Sequence, residues 1–181
     1  VSCSDFDSSG YTGSITRTGY YLNIYGNANF GTSFSSYIGT LRMYANTTTN
    51  TLTYPGSTVT PSNADIEFYG PLIWELGSNF VTTSGITLYT GTLDTKSFNM
   101  TANDFSYNNA AAATLKLNNS TITLTGTAEV WNLTTGVATN LTLDAGTSTI
   151  EMNGAGLQYV RMYGGGKTYN IIKFNRGAST N

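Results

Sequence analysis

The sequence predicts an all-β fold, a parallel β-solenoid with about three short strands per coil. Apolar residues recur as pairs one residue apart, flanked by Thr, Ser or Asn, as in Ile122/Leu124 and Ile150/Met152. Residues i and i+2 of a strand point to the same face, so each pair marks a short strand with one inward face. No stretch has the 3.6-residue periodicity of a helix. Two-residue hairpin signals are nearly absent, with Asn153-Gly154 as the exception, which favours neighbours that are not joined antiparallel.

The spacing of the apolar anchors supports coiling. From residue 86 to residue 172 they recur on average every ~8.6 residues, one strand and one corner each. Three such faces would make a coil of about 26 residues, with each strand stacked on the strand one turn earlier. An antiparallel β-sandwich also alternates and has similar spacing, so periodicity alone leaves it open as the alternative.

The elements follow in chain order. Residues 1–19 are polar and rich in turn residues, and we interpret them as an N-terminal entry segment or cap. Residues 20–181 are then the β-solenoid domain. Gly, Asn and Pro turns separate its inward pairs. These pairs are Leu22/Ile24, Leu41/Met43, Leu52/Tyr54, Ile66/Phe68, Trp74/Leu76, Ile86/Leu88, Phe98/Met100, Leu115/Leu117, Ile122/Leu124, Leu141/Leu143, Ile150/Met152, Val160/Met162 and Ile172/Phe174.

Composition and charge exclude several classes of function. The chain has a formal net charge of −2 and no basic stripe, so we predict no nucleic-acid partner. No apolar run approaches the length of a membrane span. The sequence contains no His, which removes His-based acid–base catalysis and most zinc sites. Cys3 is the one cysteine, so no internal disulfide can form.

The charge is unevenly distributed along the chain. The last 21 residues carry Arg161, Lys167, Lys173 and Arg176 and no carboxylate, which leaves −6 on the first 160. Such charges are ordinarily solvated. The functional interpretation is an end-to-end contact with an acidic neighbour.

One stretch suggests a metal site. Asp5, Asp7 and Ser9 alternate ahead of Gly10, which resembles the first half of a calcium loop. The acid expected at the twelfth position of such a loop is replaced by Thr16, so a polar turn is the alternative. No cofactor is predicted.

Tyrosines near the corners are the candidate ligand surface. The chain has 13 Tyr, and Tyr69, Tyr89, Tyr107 and Tyr163 lie close to predicted corners. Exposed aromatic rings would let a sugar stack on them. The alternative is that these rings cap or line the solenoid.

Two further patterns could carry chemistry. Asp65 and Glu67 leave one strand face together and could serve a glycosidase, although acids at strand edges are more often solvated. The Thr-x-Thr runs, such as Thr121/Thr123 and Thr58/Thr60, could form an ice-binding face. Thr is also simply a favoured outward residue of a strand.

Several phrases resemble a known repeat family. They are GTLDT at 91–95, STITLTG at 120–126, VWN at 130–132, LDAGTSTI at 143–150 and GGGKTYN at 164–170. They are similar to repeats of a β-helical family found in tailed-phage structural proteins and related bacterial surface proteins. The resemblance spans 20–176 and departs from the family at Asn170-Ile171-Ile172. It implies a right-handed parallel β-helix used as a fibre, a decoration or an adhesive surface.

From these observations we expect a non-enzymatic structural protein of a phage virion, a fibre or decoration subunit on the particle surface. The alternative is an extracellular cell-surface adhesin or glycan-binding module. The ends of a solenoid expose open edges that need cover. We therefore expect a homo-oligomer, with a trimer favoured. The other expected partners are virion proteins and a host-surface glycan.

Overall fold

The computed structural model describes residues 1–31, 36–45, 49–54, 66–134, 137–154 and 159–175. Short strands make up nearly all of its regular structure, with one 3-10 helix at Ala138–Asn140. The strands are β1 (Ser2–Cys3), β2 (Phe6–Asp7), β3 (Ser14–Ile24), β4 (Ala28–Asn29), β5 (Ser36–Tyr44), β6 (Thr49–Thr53), β7 (Ile66–Tyr69), β8 (Ile73–Leu76), β9 (Phe80–Val81), β10 (Ile86–Leu88), β11 (Gly91–Asp94), β12 (Met100–Ala102), β13 (Phe105–Tyr107), β14 (Ala113–Lys116), β15 (Thr121–Leu124), β16 (Glu129–Asn132), β17 (Leu141–Asp144), β18 (Thr149–Met152), β19 (Arg161–Tyr163) and β20 (Ile171–Phe174).

These strands form three parallel sheets that wrap one interior. The first sheet has the order β1-β3-β5-β7-β10-β13-β16-β19, the second β17-β14-β11-β8-β6-β4-β2, and the third β20-β18-β15-β12-β9. Every strand pair in the described part of the chain is parallel, and consecutive strands lie in different sheets. The prediction of an all-β parallel solenoid is confirmed, and the antiparallel sandwich is wrong.

From β7 to β18 each coil places one strand in each sheet, as predicted. Before β7 the described residues supply strands to the first and second sheets only. Coil length varies because the corners differ in length. Ile86 pairs with Phe105 across a short coil, whereas Leu115 pairs with Leu143 across a longer one. The coil length expected from the average spacing is therefore too long for the tightest coils.

The predicted entry segment, residues 1–19, supplies β1, β2 and the start of β3. Strand β1 pairs with β3, and β2 pairs with β4, with the same parallel geometry as the later coils. Cys3 and Phe6 pack against the core. The segment therefore lies in the same sheets as the solenoid that follows it.

Strand β15 shows how the sequence encodes the inward and outward faces. Ile122 and Leu124 are fully buried, and they align with Ile150 and Met152 of β18 on the next coil. The intervening threonines point outward, where a β-branched side chain fits the pleated surface. Burying each such aliphatic side chain contributes about 1.5–3 kcal/mol, so the column of inward pairs dominates stability.

Aromatic rings also stack inside the column. Phe6, Phe30, Tyr54 and Phe80 follow one another through four coils, with ring centroids 4.8, 5.2 and 5.7 Å apart. Those distances are near the strand spacing of about 4.7–4.9 Å, because each ring sits on the ring one coil earlier. The interior therefore repeats with the sheet.

Polar side chains hold the corners between the second and third sheets. Asn118 donates from Nδ2 to Asp94 Oδ1 at 2.7 Å, and the Ser120 hydroxyl donates to Thr95 Oγ1 at 2.7 Å. Thr95 in turn donates to the carbonyl of Leu117 at 2.9 Å. Buried polar groups are costly unless they are hydrogen-bonded, and here each coil supplies the partners of its neighbour.

Candidate functional site

A row of stacked tyrosines runs along the outside of the first sheet. Tyr25, Tyr44, Tyr69 and Tyr89 follow four successive strands, with ring centroids 5.0, 5.0 and 4.4 Å apart and planes within 17° of each other. Of these four row members, the sequence predicts Tyr69 and Tyr89 as surface candidates and misses Tyr25 and Tyr44. The missed members were visible in the sequence, because each row tyrosine ends a repeated phrase: LNIY, LRMY, IEFY and ITLY.

Comparison with these repeated phrases explains why Tyr107 is wrong as a surface candidate. In FSYN, Tyr107 occupies the inward position that Ile24, Met43, Phe68 and Leu88 occupy in the earlier coils. Its side chain is fully buried, and its hydroxyl donates to the carbonyl of Ala111 at 2.6 Å. Burial raises the pKa of Tyr107 above its usual range. Tyr107 therefore offers no ring face to a ligand.

Tyr69 is held by charged neighbours. Its hydroxyl donates to Glu67 Oε2 at 3.1 Å, and Arg42 Nε donates to the same oxygen at 2.6 Å. The Arg42 guanidinium lies 3.4 Å from the centroid of the Tyr21 ring, which is cation–π geometry. Burial first, and then the Glu67 carboxylate, raise the pKa of Tyr69 above its usual range.

The row has consequences for ligand binding. Tyr44 covers one face of the Tyr69 ring and Tyr89 covers the other, so Tyr69 presents only its edge outward. A sugar needs a ring face on which to stack, and the inner members of the row do not provide one. Contacts of this kind contribute about 0.5–1.5 kcal/mol each, so the row acts as an external brace across four coils.

The remaining tyrosine candidate, Tyr163, lies on β19 at the end of the first sheet. It aligns with Asn132 of β16, outside the row, and is 37% exposed. Its carbonyl accepts a hydrogen bond from the amide of Leu133 at 2.9 Å. The structure therefore does not bring Tyr163 together with Tyr69 and Tyr89.

The calcium candidates are engaged in holding the first two coils together. Asp5 Oδ1 accepts from the amide of Asn27 at 2.6 Å. Asp7 Oδ1 accepts from the amide of Ser9 at 2.9 Å and from Asn29 Nδ2 at 3.2 Å. The hydrogen bond from Ser9 holds the pKa of Asp7 below its usual range. Within the described ranges, no group of three or more His, Cys, Asp or Glu side chains is placed to hold a metal ion.

The carboxylate pair Asp65/Glu67 and the Thr-x-Thr runs were the two remaining candidate patterns. Asp65 and the Thr58/Thr60 run lie outside the described residues. Glu67 is paired with Arg42 and Tyr69, so its carboxylate has a structural role. Thr121 and Thr123 do lie on an outward strand face, where Thr123 aligns with Glu151 of the next coil.

The last described coil leaves apolar side chains open. Ile172 and Phe174 of β20 align with the buried Ile150 and Met152, so they occupy interior positions. They are nevertheless 38% and 58% exposed, and Ile171 is 44% exposed. Among the described strands, β20 is the outermost of the third sheet, and the second sheet ends one coil earlier. We call these three side chains, Ile171, Ile172 and Phe174, the apolar end surface.

A groove that the sequence did not predict lies where three successive coils turn into the first sheet. It has a volume of about 440 Å³ and is lined by Asp104, Thr127, Ala128, Glu129, Tyr159 and Arg161. Arg161 approaches Glu129 with 3.9 Å between Nη1 and Oε1, and both side chains are about half exposed. The ring of Tyr159 is 76% exposed. The lining comes from three stretches that are far apart in the sequence, and coil stacking brings them together.

No protein-family model, curated protein or solved structure matches this chain. Among the described residues, no helix is long and apolar enough to cross a membrane. The candidate site is therefore defined by geometry alone: the tyrosine row, the groove and the apolar end surface.

Proposed function

We propose that this chain is a non-enzymatic structural subunit of a phage virion, a β-helical fibre or decoration protein exposed on the particle surface. The observation that carries the proposal is the apolar end surface, where Ile172 and Phe174 hold interior positions yet stay exposed. Uncovered strand edges and apolar ends are the parts of a solenoid that associate with other chains. An exposed apolar surface of this kind favours association with a neighbouring subunit, which is in keeping with a surface assembly.

The rest of the molecule supports a scaffold role. The polar corners are satisfied from one coil to the next, and the tyrosine row braces the outside of the first sheet. Ion pairs also join neighbouring coils, as in the Lys173–Glu151 pair at 3.0 Å. Such a rod presents partners with a rigid surface, which limits the entropy lost on association.

The proposed assembly is a trimer in which the apolar end surfaces of three chains cover one another. Mass measurement in solution at micromolar concentration should give three times the 19.3 kDa of the chain. Replacing Ile172 and Phe174 together by Ser should shift the mass to that of a monomer. Val81 is the matched control, because it is 38% exposed on the side of the third sheet, so Val81→Ser should leave the trimer intact. A wild-type monomer would contradict the assembly.

The location on a virion needs a separate experiment. A phage lysate that contains the protein is imaged by immuno-electron microscopy with antibodies raised against the folded chain. These antibodies should label the phage particles. A second antibody against a major capsid protein marks the particles. Label confined to soluble material or to cell surfaces would overturn the virion proposal and favour the extracellular adhesin.

A further inference from the structure

The groove lined by Tyr159, Glu129 and Arg161 has the parts of a sugar site. Its lining includes no residue of the apolar end surface or of the tyrosine row, and its role is independent of the proposed structural function. Its volume of about 440 Å³ is within the range of small-ligand pockets.

The apolar component is the ring of Tyr159. It is the most exposed of the large hydrophobic side chains in the described residues, at 76%, and no other aromatic ring in those residues stacks on it. The Tyr159 ring is thus largely exposed, whereas the Tyr69 ring lies between two other tyrosines. A large exposed ring beside a concave polar surface provides a flat platform for the C–H face of a pyranose.

The polar components stand beside that platform. Glu129 Oε2 accepts from Asn132 Nδ2 at 3.2 Å, which orients the carboxylate, while Oε1 faces Arg161 at 3.9 Å. At that separation, with both side chains about half exposed, the ion pair contributes little to stability. A ligand can therefore form hydrogen bonds with Glu129 or Arg161 without losing a strong interaction between them. Carboxylate oxygens accept from sugar hydroxyls and the guanidinium donates to them.

The backbone explains why a concavity exists here. The amide of Gly126 donates to the carbonyl of Asn103 at 2.8 Å, and the amide of Arg161 donates to the carbonyl of Ala128 at 2.8 Å. These bonds draw the three corners together, while the small Ala128 leaves space between the larger side chains. Asp104 is fixed at the groove wall by Asn103 Nδ2, which donates to its Oδ2 at 2.6 Å.

The charges select the class of sugar. Two carboxylates, Asp104 and Glu129, face one guanidinium, Arg161, so the groove repels an anionic residue such as a sialic or uronic acid. We propose that this groove binds a neutral or N-acetylated pyranose unit of a glycan, stacked on Tyr159 and hydrogen-bonded to Glu129 and Arg161.

Saturation-transfer NMR on the whole chain tests the proposal with three probes: maltotriose, the trisaccharide of N-acetylglucosamine, and sialyllactose. At least one of the two uncharged trisaccharides should receive saturation, and sialyllactose should receive less. Tyr159→Ser should weaken binding by about five- to tenfold, the size expected for one lost ring contact. Tyr159→Phe should stay within about twofold of wild type, because it keeps the ring.

Two further variants separate stacking from general effects. Glu129→Gln should weaken binding, because an acceptor for sugar hydroxyls is lost. Tyr163→Ser is the matched control: it removes another exposed tyrosine close to the groove but outside its lining, and it should bind as wild type does. Circular dichroism confirms that each variant is folded. Saturation of neither uncharged probe, strongest binding of sialyllactose, or unchanged binding by Tyr159→Ser would each overturn the site.

Discussion

Replacing Gly91 by Ala should separate two costs at a coil corner. Gly91 begins β11 with a φ of 77°, in the left-handed region that favours glycine. A Cβ there would also lie 2.6 Å from the carbonyl oxygen of Leu72 and against that of Gly70, both on the preceding coil. The amide of Thr92 donates to the same Leu72 oxygen at 2.8 Å, so the backbone cannot move away without losing a sheet hydrogen bond.

The expected magnitude follows from two controls. Gly166 has a φ of 69°, but a Cβ there would meet no atom within 4 Å, so Gly166→Ala should cost about 1–2 kcal/mol for the left-handed backbone alone. Gly10 also has open space, and Gly10→Ala should change stability by no more than about 0.5 kcal/mol. Gly91→Ala adds an overpacking cost to the backbone cost, for a total of about 3–4 kcal/mol.

Guanidinium denaturation followed by circular dichroism measures the three variants. With an m-value of about 4 kcal/mol/M, Gly91→Ala should lower the midpoint by about 0.8–1 M. Because coils of a solenoid can open separately, hydrogen exchange at β11 and β8 should confirm that the loss is centred on this corner. Equal losses for Gly91→Ala and Gly166→Ala would refute the close contact between coils.

Three other predictions concern the outer face and the last coil. Arg42→Met should destabilise the chain by about 2 kcal/mol in thermal or chemical unfolding, because it leaves the Glu67 carboxylate partly buried without its cation, and an unchanged midpoint would contradict this. The raised pKa of Tyr69 means that the folded state binds the phenol proton more tightly than the unfolded state does. The contribution of this proton to the free energy of unfolding is complete below the unfolded pKa of about 10, and it is lost as the pH rises from there toward the folded pKa. Unfolding midpoints measured from about pH 8 to 11 should therefore fall above about pH 10, and by less in Tyr69→Phe. Tyr169→Phe removes the acceptor that Trp131 Nε1 uses at 3.0 Å, so amides of β20 should exchange faster, by about tenfold, while those of β11 keep their rates.

The fold was predictable because inward pairs are a local property. Ile122/Leu124 and Ile150/Met152 alternate with polar residues wherever a short strand has one buried face, and the scarcity of hairpin turns favoured parallel stacking. Coil length was predicted less well, since a corner can lengthen without disturbing the strands beside it. Leu115 and Leu143 align as well as Ile86 and Phe105 do, although a longer stretch of chain separates them.

The candidate site depends on side-chain direction and on contacts between coils, which the spacing of apolar residues does not predict. The position of Tyr107 near a corner predicts a surface residue, but its inward direction depends on the strand phase that FSYN shares with ITLY. The groove residues Glu129 and Tyr159 are distant in the sequence and meet only because their coils are adjacent. Phe174 was correctly placed on the inward face by its spacing, but its exposure depends on the absence of a covering coil among the described residues.

Because the corners differ in length while the strands stay aligned, the number of coils and the size of each corner can change separately in this protein. Residues 86–104 begin and end at equivalent places, since Ile86 aligns with Phe105, so they form one complete unit of the rod. Loss or duplication of such a unit would change the length of the rod by one strand spacing, about 4.8 Å, and would leave every remaining coil with neighbours of the same kind. Insertions at a corner would instead add surface at constant length. The reach of the protein and the surface it displays could therefore evolve independently.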